Sequence, residues 1–184
     1  MTALRVNSEQ KINIVQGEFH VTQDPNVVLT TLLGSCVAAC IRDPLAGVGG
    51  MNHFLLPGQD GSASSREAES YGVHLMELLV NGLLKSGARR ERLEAKLFGG
   101  ARTMEGLSDI GAKNGRFAEN FLKYEGINYI GGSLGGEGGR RVQFWPVAGR
   151  ARQSLFSSEK MPPVVVPKLV IPPKPVDTGA IEFF

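Results

Sequence analysis

Cys36 and His53 lie on either side of Asp43-Pro44-Leu45-Ala46, and that tetrapeptide reads as a turn. Asp suits the first position of a type I turn and Pro presets φ at the second. Residues 37–41 and 48–55 then become the two strands of one hairpin. A two-residue loop sets Cys36 directly opposite His53. A four-residue loop ending on Gly47 in the left-handed region makes them diagonal neighbours on the same face. Opposite positions are ~5 Å apart and diagonal ones ~7–8 Å, so either register keeps the two side chains within reach. Only a one-residue bulge would turn one of them to the other face.

A thiol and an imidazole at that spacing can do acyl-transfer chemistry. A free cysteine near pKa ~8.5 is mostly protonated at neutral pH, and an adjacent base converts it to the reactive thiolate. Cys36 is the candidate nucleophile and His53 its base. Gly34 lets the backbone approach a substrate carbonyl, and the amides around Ser35 and Cys36 are candidate oxyanion donors. Thr30 shares the parity of Cys36 on the preceding apolar run, which would put its hydroxyl where it orients the His53 ring. A cysteine is often a small buried hydrophobe, and His20 and His74 show that histidine also occurs here without such a partner. The Gly34-Ser35 ahead of Cys36 and the Gly49-Gly50 ahead of His53 favour chemistry.

Four blocks carry a resemblance: Leu33-Gly34-Ser35-Cys36-Val37, Gly49-Gly50-Met51-Asn52-His53-Phe54, Lys96-Leu97-Phe98-Gly99-Gly100-Ala101, and the Gly-Gly-x-x-Gly-Arg of residues 135–140. In that order they are similar to the motifs of the CheD family of chemoreceptor glutamine deamidases, and together they span roughly residues 10–156. The resemblance implies that Cys36 and His53 are the catalytic pair, that Thr30 is the third active-site residue, and that Gly99 and Gly100 join Gly34 and Ser35 as candidate substrate or oxyanion contacts. It implies deamidation of receptor glutamines to glutamates, with glutamyl methyl esters open to the same acyl-transfer route. The implied partners are methyl-accepting chemoreceptors as substrate and a CheC-type phosphatase. Ser133 departs from the pattern, because relatives usually carry an acidic residue there. The implied fold is α/β, a layered fold similar to the cytotoxic necrotizing factor deamidases, with a mixed, largely antiparallel sheet flanked by helices. A non-catalytic adaptor that binds receptors or the phosphatase is the alternative, but such a module has no need of both Cys36 and His53.

The rest of the chain bounds these readings. Its 184 residues fit one domain at 1–157 followed by a Pro-rich tail at 158–184, with six of the ten prolines falling in residues 162–175. The tail ends in Ile181, Phe183 and Phe184, an apolar tip that reads equally as a docking motif and as a segment folded back on the domain. A net charge of +2 with no aromatic-interleaved basic stripe gives no support for nucleic acid. No apolar stretch approaches the ~18 residues of a membrane span and no signal-peptide core opens the chain, so the expected location is cytoplasmic. Cys36 and Cys40 are four apart, too far along a strand for a disulfide at ~3.3 Å rise per residue. That also argues against a redox pair. Neither a metal nor a cofactor is expected: Cys36, Cys40 and His53 lack a fourth ligand, and the Gly-rich run at 131–140 has neither P-loop nor dinucleotide spacing.

Periodicity predicts the elements that hold the pair. One or two short strands fall in 11–21 and another in 25–33. A helix follows Ser64 and Glu67, a capping box, with Val73, Met76, Val80 and Leu83 on its core face and Gly87 as its stop. A strand at 93–98 leads to a second helix at 108–125, ended by Gly126. Strands at 127–130, 141–145 and 150–156 complete the set.

Overall fold

The computed structural model describes residues 8–57, 65–102 and 110–156. Within them β4 (Val37–Asp43) is buried at every position but Arg42, so both of its faces must be covered. Strand β3 (Val27–Leu33) instead buries Leu29, Thr31 and Leu33 and turns Thr30 and Leu32 outward. That alternation marks a sheet with one face on the core. The two strands accordingly belong to different sheets. One sheet has the order β1-β3-β8-β9, with β1 (Gln10–Asn13), β8 (Gly139–Trp145) and β9 (Arg150–Phe156). The other has the order β2-β5-β4-β6-β7, with β2 (Phe19–Thr22), β5 (Val48–Asn52), β6 (Glu94–Gly99) and β7 (Asn128–Leu134). Each sheet contains one parallel pair, β1 with β3 and β6 with β7, and is otherwise antiparallel.

Two clusters of buried residues show three layers. Val37, Ala39 and Ile41 of β4 pack with Met76, Leu79 and Leu83 of α1 (Ser65–Lys85) and with Phe121 and Leu122 of α2 (Ile110–Tyr124). Ala38 and Cys40, on the opposite face of β4, pack with Leu29, Leu33, Val142 and Phe144 of the other sheet. The fold is the expected α/β layered one, mixed and largely antiparallel, with two stacked sheets in place of a single sheet and both helices on one side. Periodicity sees strands but not the points where the chain steps from one sheet to the other. Residue 157 and the tail at 158–184, the capping residue Ser64 and the expected helix start at 108–109 all lie outside the described residues.

The layers are close because the sequence makes them so. A Cβ on Gly49 would stand 2.5 Å from the Pro146 carbonyl, and one on Gly50 would stand 2.5 Å from that of His20 and 2.8 Å from Leu79. Both helices end as their glycines require. Gly87 at φ +94° and Gly126 at φ +67° take the left-handed position. Behind each, Ala88 bonds back to Leu83 and Ile127 to Leu122, the paired bonds of a Schellman stop.

The β4–β5 turn follows the longer of the two registers expected. Asp43 pairs with Val48 across a four-residue loop, and Gly47 sits at φ +64°. Asp43 is fully buried, and burial raises its carboxyl. The amides of Arg89, Ala46 and Leu45 and the Arg92 guanidinium outweigh that and hold it at about 2. The turn is thus tied to the segment after α1 through one carboxylate. Because the folded value lies below the ordinary ~3.9, this contribution to stability is complete above that value and lost as pH falls toward 2. Asp43→Asn should lower the unfolding free energy by at least ~2 kcal/mol, since buried donors lose a charged acceptor. It should also flatten the acid limb of a stability profile between pH ~4 and ~2, read by denaturant titration at each pH.

Candidate active site

Three residues, Gly34-Ser35-Cys36, carry the chain from the end of β3 in one sheet to the start of β4 in the other. Two further loops are bonded to them. The Ala101 amide donates to the Gly34 carbonyl at 2.8 Å and the Gly100 amide to the Cys36 carbonyl at 2.7 Å. The Gly135 amide then donates to Gly99 and the Arg102 amide to Gly136, each at 2.9 Å. Gly99 is a backbone necessity. Its φ is +110°, and a Cβ there would fall 2.0 Å from the Cys36 carbonyl oxygen. The Gly100 amide is spent on the Cys36 carbonyl, so it holds the backbone of Cys36 and is not free to serve as the oxyanion contact expected of it.

The thiol of Cys36 lies at this crossing, 5% exposed, and donates to Gln16 Oε1 at 3.6 Å. Burial pushes it up to about 12, against the opposing effect of its own backbone N–H. Cys40 lies on the same face of β4, deeper in the core, and burial raises it further.

His53 follows β5 directly. The pairs Cys40 with Met51 and Val37 with Phe54 share one register, so no bulge intervenes. Cys36 and His53 are diagonal neighbours on the face toward the other sheet, a spacing of ~7–8 Å between backbones, and the thiol bonds to Gln16 and not to the His53 ring. Asn52 maintains the ladder where its backbone bonds pause. Its Oδ1 accepts the Ala39 amide at 3.0 Å, and its Nδ2 donates to the Leu75 carbonyl at 3.3 Å.

The ring of His53 is 7% exposed, and burial lowers its pKa while the Ile14 carbonyl acts the other way. Nδ1 lies 2.9 Å from Thr31 Oγ1 and 3.4 Å from the Ile14 carbonyl oxygen. The Thr31 hydroxyl donates its own hydrogen to Ile14 at 2.7 Å. A carbonyl only accepts and this hydroxyl's hydrogen is engaged, so Nδ1 carries the ring proton. Nε2 is left with its lone pair, buried and without a hydrogen-bond partner among the described residues. This is the tautomer a general base needs.

The hydroxyl on that ring belongs to Thr31, not to Thr30 as expected from parity. Thr30 pairs with Gln143 on the outward face of β3. Parity counts only along one strand, and the crossing at Gly34 to Cys36 breaks the count between Thr30 and Cys36. Sequence reasoning also missed the connection between β1 and β2. Ile14 and Gln16 touch the pair directly, the Gly17 amide donates to the His53 carbonyl at 2.7 Å, and the His53 amide donates to Glu18 at 3.0 Å. The β1–β2 stretch carries no glycine-rich or catalytic signature that would have singled it out.

The Gly-rich run at 131–140 lies at the same end. Arg140, 2% exposed, donates to the Ser133 carbonyl at 2.5 Å, to Ser133 Oγ at 2.9 Å and to the Gly135 carbonyl. Ser133, the departure from the family pattern, is therefore an acceptor for a buried guanidinium that has no carboxylate bonded to it among the described residues. No group of three or more His, Cys, Asp or Glu side chains suited to a metal occurs among the described residues. No described helix is long and apolar enough to cross a membrane.

A family model described as CheD chemotactic sensory transduction matches residues 55–154. The probable chemoreceptor glutamine deamidase CheD of Rhizobium leguminosarum bv. trifolii is 58% identical over 178 residues, covering 95% of this chain and 96% of that protein. The probable chemoreceptor glutamine deamidase CheD of Agrobacterium fabrum is 58% identical over 177 residues, with 95% and 97% covered. Among solved structures, the hypothetical protein YfiH of Bacillus licheniformis superposes at a TM-score of 0.42 and 11% identity over 70% of this chain and 60% of that one. With more than half of its residues identical to relatives aligned nearly end to end, the chain belongs to the CheD family.

Proposed function

We propose that this chain is a cysteine-dependent amidohydrolase that converts glutamine side chains of chemoreceptors to glutamates. The observation that carries it is the hydrogen bonding of the His53 ring, from which its tautomer follows. Its N–H is committed to Thr31 and Ile14, and a bare, buried Nε2 is left on the face that holds the Cys36 thiol. The names of the relatives supply the amide and the receptor.

In this reading Cys36 and His53 rest as a neutral thiol and a neutral imidazole, because burial raises the one and lowers the other. As Sγ attacks the glutamine side-chain carbonyl, Nε2 takes the thiol proton, and backbone amides at the crossing hold the oxyanion. The same proton then goes to the leaving nitrogen, which departs as ammonia and leaves a glutamyl thioester. Water, deprotonated by Nε2, attacks that thioester and releases glutamate, and the proton returns to Cys36. A glutamyl methyl ester would follow the same route with methanol leaving. The reaction uses no cofactor and belongs in the reducing cytoplasm, where a free thiol persists. A CheC-type phosphatase is the second partner in this reading, measured by a binding titration with that purified phosphatase.

Mass spectrometry of receptor peptides after incubation with the protein is the direct test. Conversion of specific glutamines to glutamates is expected, and Cys36→Ala should abolish it with the fold intact, while Cys40→Ala should leave turnover close to wild type. A dispensable Cys36 with an essential Cys40 would overturn the nucleophile.

His53→Ala should lose ~10²–10⁴-fold in turnover. Thr31→Val should cost less, through a ring free to rotate, and Thr30→Val less still. Because the folded pKa of His53 lies below its ordinary ~6.5, the base stays neutral and kcat/KM should hold level down to and below that pH. Alkylation of Cys36 by iodoacetamide should still be climbing at pH ~10, since its thiol is raised from the ordinary ~8.5. A plateau in alkylation near neutral pH would show a resting ion pair instead.

A further inference from the structure

Asn114 is fully buried on α2 and joins the two segments that carry the pair. Its Nδ2 donates to the Ser35 carbonyl at 2.8 Å, and its Oδ1 accepts the Leu56 amide at 3.0 Å. The partners fix which end is which, because a backbone carbonyl only accepts and a backbone amide only donates. Neither end of the side chain can turn without stranding a buried group. The helix beneath it is equally fixed. A Cβ on Gly111 would lie 2.3 Å from the Ala101 carbonyl oxygen and 2.5 Å from that of Gly100, so the first turn of α2 sits directly on the loop that grips Cys36.

The carbonyl that Asn114 holds belongs to the peptide unit whose N–H is that of Cys36. A trans peptide is planar, with its C=O and N–H pointing in opposite directions, so fixing the Ser35 oxygen on the helix side aims the Cys36 N–H away from the helices. That N–H favours the Cys36 thiolate. A bond to the carbonyl also polarises the peptide and strengthens its N–H as a donor.

We propose that Asn114 is a positioning residue that aims the Cys36 backbone N–H at the oxygen of the carbonyl under attack, and so builds one arm of the oxyanion hole. This rests on the deamidase reading and deepens it. Asn114 touches no substrate. It acts through a single peptide plane, so its loss should be felt far more in reactions that create an oxyanion than in those that feel only the small help this N–H gives the thiolate.

Two reactions of the same thiol separate the cases. Deamidation of a receptor fragment passes through a tetrahedral oxyanion, whereas alkylation by iodoacetamide displaces iodide and forms none. In the full chain, Asn114→Asp keeps an acceptor for the Leu56 amide but sets an oxygen against the Ser35 carbonyl. It should lower kcat for deamidation by about 10²-fold, with KM little changed and the alkylation rate lowered by a much smaller factor, as the thiolate loses the help of that N–H. Asn114→Ser, which removes the reach to Ser35 without adding charge, should show the same split. Deamidation and alkylation falling by the same factor, or a folded variant with wild-type kcat, would overturn the inference.

Wild type gives a readout that needs no variant to fold. A receptor peptide carrying glutamate semialdehyde in place of the glutamine should form a hemithioacetal with Cys36, and the Cys36 amide proton should move downfield as it donates to the new oxygen. An adduct that forms without moving that proton would refute the assignment. A wild-type protein that deamidates no receptor glutamine would sink the deamidase reading itself, whereas active wild type with equally active Asn114 variants sinks only the role of Asn114.

Discussion

The bond from the Gly100 amide to the Cys36 carbonyl, 2.7 Å long, is the contact on which the site depends. It joins the loop after β6 to the residue where the chain leaves one sheet and enters the other. It forms only because Gly99 and Gly100 both adopt positive φ and because no side chain on Gly99 blocks the approach. From it the arrangement propagates outward. Gly99 accepts from Gly135, Gly135 from the Arg140 guanidinium, and the backbone of Gly100 and Ala101 bears the first turn of α2. Cys36 has its own carbonyl, the preceding carbonyl and that of Gly34 all bonded.

Burial gives the pair a second character. A thiol and an imidazole removed from water both prefer their neutral forms, so in the proposed mechanism charge separates only when a substrate carbonyl arrives to share it. With Nδ1 held by Thr31 and Ile14, the ring has one orientation, and under that proposal Nε2 would take a proton without reorganisation. The nearby Arg140 is handled differently, by carbonyl oxygens and a serine hydroxyl, which spread its charge over dipoles with no carboxylate bonded to it among the described residues.

Much of this was legible in the sequence, and the failures have one cause. The helices with their glycine stops, the turn at Asp43 and the placement of Cys36 and His53 on one face all follow from local rules, because each is decided by a few neighbouring residues, while the choice between opposite and diagonal waited for the loop length. Thr30 was chosen over Thr31 because parity was carried through Gly34 and Ser35, where the strand had ended and the chain was changing sheets. The same blind spot hid the division into two sheets. Ile14, Gln16 and Asn114 were invisible for a related reason. Their roles come from what lies beside them after folding, and an isoleucine carbonyl or a helix asparagine carries no signal of its own.

Strand β3 lies between β1 and β8, and the second of these neighbours is made late in synthesis, long after Cys36 and Cys40 have left the ribosome. Until β8 arrives, the sheet that covers the face bearing both thiols cannot close over them, and contacts so distant in sequence form slowly. The nascent chain therefore passes through a period in which two cysteines destined for a dry interior are open to oxidation. Keeping both thiols free therefore calls for reducing conditions during synthesis as well as afterwards.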